Sequence, residues 1–256
     1  MTSRYEVTLG GVKMSSLNKN LLILDVSYID PEISRQEYQI ANLDGLDYGR
    51  KIYKRRSVTV TFELHIYSIS IRNAACQAVI AWAKNGGTLQ INDRAGQYLT
   101  VECTQFPEIS SVKNWTDPLE IVFSTVGNPY WNANSQKTLT ISGKSANGKL
   151  TLDGNAGNAL VSVDVTAVAA ITSLQVVVGN TKLKLTGINI AAGKTVKIDY
   201  ISGRFLRIRV DSTSLLSKLD PSSSDNLQAV CGSTNSVSVS ASAKVTAAFK
   251  ARGLFL

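Results

Sequence analysis

The apolar positions of this chain change period twice within one short stretch. Val58, Val60, Phe62, Leu64 and Ile66 alternate with Thr59, Thr61, Glu63, His65 and Tyr67, the period of two that a half-buried strand requires. From Ser70 the spacing becomes helical: Ile71, Ala74, Ala75, Ala78, Val79 and Trp82 fall on one side, Ser70 is placed to act as N-cap, and Gly86-Gly87 supplies the stop. Leu89 to Ile91 is extended again, Asn92-Asp93-Arg94-Ala95-Gly96 carries turn chemistry, and Tyr98 to Thr104 alternates as a returning strand. The pattern predicts a strand, a packed helix and a hairpin in succession.

Around this unit, Tyr5 to Val12 and Leu21 to Tyr28 read as strands, punctuated by Gly10-Gly11 and Asp30-Pro31. Ile33 to Leu43 is extended and polar as far as an Asp44-Gly45 turn, Leu119 to Thr125 is a further strand, and Gly127 to Asn132 ends the regular pattern. A domain boundary is expected there, giving residues 1–132 and 133–256. From Gln136 the composition shifts to Ser, Thr, Gly, Ala and Val, and every tract looks β. These tracts are Leu139 to Ser142, Lys149 to Leu152, Val161 to Val165, Leu174 to Val178, Lys182 to Leu185, Val196 to Tyr200, Phe205 to Val210, Val237 to Ser240 and Ala243 to Phe249. Asn147-Gly148, Gly154-Asn155 and Gly179-Asn180 read as turns between them, and Ser222 to Asp225 as a surface loop. Many short strands at this spacing predict a β-sandwich. The fold class is therefore mainly β: an N-terminal β-rich domain with one packed α-helix, then a C-terminal sandwich.

Charge separates the two halves. The net charge is +8, yet basic and acidic side chains cancel from Met1 to Ala133, so the excess lies in the second half, in residues such as Lys182, Lys184, Lys194, Lys197, Arg204, Arg207 and Arg209. A basic half suits an anionic glycan, nucleic acid or an acidic partner surface. These cations alternate with apolar residues, however, as on a solvated sheet face, and no aromatic interleaving marks a nucleic-acid module. The first dozen residues lack the order of a signal peptide, and Leu21 to Leu24 is too short to span a bilayer, so folding in the cytosol is expected. Cys76, Cys103 and Cys231 are odd in number and far apart, which predicts buried free thiols rather than a disulfide framework or zinc site.

The inventory for chemistry is thin. His65 is the only histidine and falls on the polar face of its strand, which disfavours zinc and histidine-based triads. Glu63, Glu102, Glu108 and Glu120 could converge only through the fold, and G-x-S-x-G is absent. Gly187 to Thr195 resembles a phosphate loop with one residue too many between its glycines. Strand-like sequence precedes and follows it, where a phosphate loop must open a helix, so it reads as a hairpin connection. Trp82, Trp115 and Trp131 all precede the second domain, whose chief large aromatics, Tyr200, Phe205, Phe249 and Phe255, alternate as core residues do. Asn114-Trp115-Thr116 fits a glycosylation sequon that carries little weight without a secretion signal. No catalytic, cofactor-binding or metal residue is assigned. The basic run of Arg50, Lys51, Tyr53, Lys54, Arg55 and Arg56 is the candidate subunit interface, from its charge and its position in a connection.

Leu43-Asp44-Gly45, the basic run to Arg56, the strand Val58 to Tyr67, the helix ending Ala81-Trp82-Ala83, the hairpin Leu89 to Tyr98 and the closing Pro129-Tyr130-Trp131 together resemble the N-terminal domain of phage distal tail proteins. In the second half Gly157-Asn158-Ala159, Val196-Lys197-Ile198-Asp199-Tyr200, Leu227 and Gly232-Ser233-Thr234-Asn235 resemble that family's C-terminal, galectin-like or carbohydrate-module-like sandwich. The resemblance covers nearly the whole chain and rests on order and spacing. It implies a structural protein of a long non-contractile tail, made and assembled in the bacterial host cytoplasm and resident at the virion tail tip. Six N-terminal domains would form a ring between the tail tube protein and the tail-tip protein, with DNA passing through unread. The sandwiches would project outward to carry receptor-binding proteins or to meet host glycan. No long insertion of the kind used for direct adhesion is present, which favours a scaffold. The alternative is a carbohydrate-binding adhesin acting through the sandwich; a hydrolase is a third reading.

Overall fold

The computed structural model describes residues 3–35, 37–39, 46–48, 52–108, 117–201 and 205–256. Leu43, Asp44, Gly45, Arg50, Lys51, Trp115 and Arg204 lie outside them. The protein is mainly β, with one α-helix among the described residues. It divides into two compact units, residues 1–131 and 132–256.

The first unit contains β1 (Val7–Leu9), β2 (Val12–Lys13), β3 (Leu21–Tyr28), β4 (Ile33–Ser34), β5 (Glu37–Gln39), β6 (Leu46–Tyr48), β7 (Ile52–Tyr53) and β8 (Ser57–Leu64). Helix α1 (Ile69–Ala83), β9 (Gly87–Ile91), β10 (Gln97–Gln105) and β11 (Leu119–Thr125) follow, and β12 (Trp131–Ala133) contains the division between the units. The main sheet runs β2-β1-β9-β10-β11-β8-β3. β8 shows the alternation read from sequence, with Val58, Val60, Phe62 and Leu64 buried, but ends at Leu64 rather than continuing to Tyr67. The Ile66 N–H turns back to the Leu64 carbonyl at 2.7 Å, which takes the chain out of the ladder. Against β8, the register of β3 shifts between Ile23 and Asp25. One extra residue reverses the side-chain alternation, so Leu21 and Ile23 are buried before it and Val26 after it.

The helix begins after Ser68, not Ser70, and its inward face is Arg72, Ala75, Cys76, Val79 and Ala83. The expected face is kept in part: Ala75 and Val79 are buried, while Ile71 and Ala74 are exposed. Alanines occupy both sides of this helix, so its apolar stripe is shallow, and contacts with the sheet choose the orientation. Trp82 meets Phe123 edge-on at 6.0 Å between ring centroids, and its indole N–H donates to the Val12 carbonyl at 3.0 Å. Gly86 ends the helix at φ +60°, where a Cβ would lie 2.2 Å from the Val101 carbonyl oxygen. Only glycine allows that turn and that approach.

The second unit contains β13 (Lys137–Thr151), β14 (Asn158–Leu160), β15 (Ser162–Ala167), β16 (Ile171–Val178), β17 (Thr181–Ile190), β18 (Thr195–Ile201), β19 (Phe205–Val210), β20 (Thr213–Ser214), β21 (Gln228–Val230), β22 (Thr234–Ala251) and β23 (Leu254–Phe255). Two tracts read as separate strands on each side are single long strands, and Asn147-Gly148 lies inside β13 rather than in a turn. β13 lines one side of β22 along its length. On the other side β22 pairs with β16 through Val237–Ala241 and with β15 through Val245–Lys250. A strand that serves two partner sets in succession makes the corner of a sandwich. Val176, Val178, Val163, Val165, Val239 and Phe249 are buried in its core.

The segment resembling a phosphate loop is strand, turn and strand, β17 leading to β18, and no helix opens there. The Lys194 ammonium is paired with Asp211 at 2.9 Å. The Gly179-Asn180 turn joins β16 to β17 as expected, with Val178 opposite Thr181.

Candidate functional site

The described part of the basic run, Tyr53 to Arg56, lies at the end of the β4–β7 ribbon and the start of β8. Tyr53 sits opposite Ile33 in the β4–β7 ribbon, and its ring meets Tyr130 edge-on at 5.6 Å. The Lys54 N–H donates to the Glu32 carbonyl at 2.8 Å, and its ammonium pairs with the Glu32 carboxylate at 2.8 Å in solvent. Arg55 pairs with Glu102, also exposed. Exposed pairs of this kind contribute about 0–1 kcal/mol each, so they leave the surface polar rather than lock it.

Arg56 is different. Its side chain is fully buried. Nε donates to the Pro129 carbonyl at 3.1 Å and Nη1 to Asp30 Oδ1 at 3.2 Å, while the backbone N–H donates to the Thr125 hydroxyl at 2.9 Å. The guanidinium lies 5.9 Å from the Trp131 ring centroid, and Arg94 lies 5.5 Å from the same ring. Tyr28 meets Trp131 edge-on at 5.5 Å. Burial pulls the Arg56 pKa down; Asp30 opposes this and Arg94 adds to it. Arg56 thus ties the end of β3, the start of β8 and the exit segment 129–131 into one knot. Its side chain is spent inside the unit, whereas Lys54 and Arg55 face solvent. Sequence order separates these groups by more than a hundred residues, so only the sheet brings them together.

Beside the exposed cations stand apolar residues that sequence reading passed over. Ile29 is 71% exposed, with Ile33 and Ile52 about half exposed. Tyr67, Ile69 and Ile71 form a second exposed series entering α1. Phase gives a signal only for Ile29 and Tyr67, which fall out of step with buried Val26 and with buried Leu64 and Ile66; Ile69 and Ile71 keep the helical spacing of buried positions and are exposed because they stand in the first turn. Contiguous exposed apolar surface marks contact sites.

The remaining reactive side chains are committed to local partners. His65 Nε2 lies 2.7 Å from Glu63 Oε2. Cys76 and Cys231 are buried thiols, and Cys103 is partly exposed; burial raises the pKa of all three. Among the described residues no group of three His, Cys, Asp or Glu side chains is placed to hold a metal. No helix among them is long and apolar enough to cross a membrane.

The same architecture of two β units occurs in phage hub proteins. The Dit protein of phage SPP1, described as a paradigm of the hub adsorption apparatus in phages infecting Gram-positive bacteria, has a TM-score of 0.72 at 10% identity. The match covers 97% of this chain and 98% of that one. A chain of the phage P2 baseplate in its activated conformation with Ca has a TM-score of 0.51 at 10% identity, covering 99% and 98%. No family model matches the sequence, and no curated protein sequence matches it. At this identity the likeness is one of fold.

Proposed function

We propose that this chain is a tail-tip hub protein of a long non-contractile phage tail. Six copies of its first unit would close a ring joining the tail tube to the tip or baseplate proteins. The observation that carries the reading is the match to the SPP1 hub protein, which runs through both units in order and over nearly the full length of each chain. Two features support it. Residues 1–131 carry thirteen Lys and Arg against thirteen Asp and Glu, so copies can approach without net repulsion. Ile33 and Ile52 are exposed on the two faces of the β4–β7 ribbon, and the exposed Lys54–Glu32 pair lies beside them, so Lys54 and Arg55 would work there as interface residues. DNA would pass the lumen unread.

A glycan-binding adhesin would need aromatic platforms. In the second unit Phe249 is buried, Tyr200 is half-buried with its hydroxyl bonded to Leu227, and Phe255 is half-buried; Phe205, expected from its alternation to be core, is 69% exposed, a lone ring rather than a platform of several. Scaffolding is therefore the better reading. Native mass measurement with negative-stain imaging, in the presence of the tube or tip partner, is expected to give six-fold rings. A chain that stays monomeric and never enters a tail would end the proposal.

A further inference from the structure

The outward face of the β18–β19 hairpin carries chemistry that the sandwich itself does not use. Lys197, Asp199 and Ile201 of β18 stand directly opposite Arg209, Arg207 and Phe205 of β19. The alternate residues Val196, Ile198 and Ile208 are buried in the core, so these three pairs share the other face. From base to tip they run from ionic to apolar. Asp199 is shared by Arg207, at 2.6 Å, and Arg209, at 3.6 Å. Lys197 has no acid partner among the described residues, because Asp164 on the neighbouring strand is taken by Lys250 at 2.6 Å. At the tip, Ile201 is 49% exposed and Phe205 69%.

Single exposed apolar residues are ordinary. Two large ones placed directly opposite each other, bordered by three cations with one carboxylate between them, form a patch with a definite complement. We infer that the outward face of these paired strands, from Lys197–Arg209 to Ile201–Phe205, is a docking knob, seated in an apolar socket rimmed by carboxylates on another protein of the tail. The inference rests on the hub reading above and deepens it by naming the surface and the partner's chemistry.

Charge decides among the possible occupants. Residues 132–256 hold fourteen Lys and Arg against six Asp, so the same face of a second copy is repelled. An anionic glycan would satisfy the cations and could stack on the Phe205 ring, but would leave the aliphatic Ile201 side chain without an apolar partner. An acid-rimmed apolar socket uses both. Paired strands carry the knob, so little ordering is lost on docking.

The test uses particles assembled with variant chains. Ile201→Ser with Phe205→Ser removes the apolar pair, Lys197→Glu reverses the free cation, and Phe205→p-benzoylphenylalanine keeps an aromatic ring while adding a photo-crosslinker. Tails built with the double variant are expected to contain this chain at wild-type amount. One other tail protein should fall by about tenfold or more, the loss that follows removal of interface anchors. Lys197→Glu should produce a smaller loss that varies with salt. Light should join position 205 to an Asp- and Glu-rich peptide of a different tail protein. An unchanged protein composition in double-variant tails, or crosslinks only to copies of the chain itself, overturns the proposal. Loss of the variant chain from tails also overturns it, by placing the hairpin in the ring. Absence of the wild-type chain from tails sinks the hub reading first, and this one with it.

Discussion

A Cβ on Gly148 would sit 2.9 Å from Ile141 Cγ2 and 2.9 Å from Leu139 Cδ2, two residues of the same strand. The distances show β13 folded over its own earlier half, with glycine where a side chain would wedge the halves apart. Gly148→Val is expected to destabilise the second unit by about 1–3 kcal/mol through overpacking, measured as a shift in the urea midpoint. Arg56 presents the opposite problem, a charge without solvent. Arg56→Met keeps the packing and removes the charge, at a cost of about 1 kcal/mol for the Pro129 carbonyl left without its donor. Arg56→Lys keeps a buried cation but loses the forked geometry, so a larger cost of about 3 kcal/mol is expected. Denaturant titration of the two variants tests that order; a lysine variant as stable as the methionine one would refute the account. At this scale the sequence showed that Arg56 belongs to a basic run, but not that Asp30 pairs with it or that Pro129 and Trp131 close over it.

Among elements, the register shift between Gly143 and Ser145 lets the β13–β22 ribbon turn the corner. Leu139 and Ile141 face inward before the shift, Gly148 and Leu150 after it, so the inward parity changes from odd to even. That reversal is why a period-two reading of the sequence broke β13 in two; β22 keeps its odd-numbered inward face, Val237 and Val239 then Val245 and Ala247, and its reading broke at the small residues Ala241 to Ala243. The outer edge of β17 is closed by the loop through Ser222 to Asp225. Lys182 and Lys184 N–H donate to the hydroxyls of Ser224 and Ser223, each at 3.0 Å. The loop is anchored by Asp220, whose carboxylate accepts from the Ser222 N–H and hydroxyl and pairs with Lys184, which holds its pKa down to about 2. A carboxylate depressed in the folded state stabilises above its ordinary pKa of about 4, and the contribution is lost as pH falls towards 2. Asp220→Asn is expected to flatten the fall of melting temperature between about pH 4 and pH 2, relative to wild type. Identical pH profiles would show that the anchor does not matter.

For the whole molecule, the proposed ring is a question of closure. A head-to-tail interface repeated six times buries the ribbon surfaces of every copy, whereas an open repeat would leave one uncovered and grow. The expected six-fold images test that directly. Much of this architecture was legible from the chain: the β class, helix α1 and its approximate ends, the Gly179-Asn180 hairpin and the neutral and basic halves all follow from local periodicity, turn chemistry and composition. These are properties of neighbouring residues, and short-range sterics and solvent preference write them into the order of side chains. The burial of Arg56 against Trp131, the face of α1, the continuity of β13 and β22 and the pairing of Ile201 with Phe205 were settled only in three dimensions. Each depends on contacts between segments or on register shifts of a single residue, and nothing local in the sequence sets either.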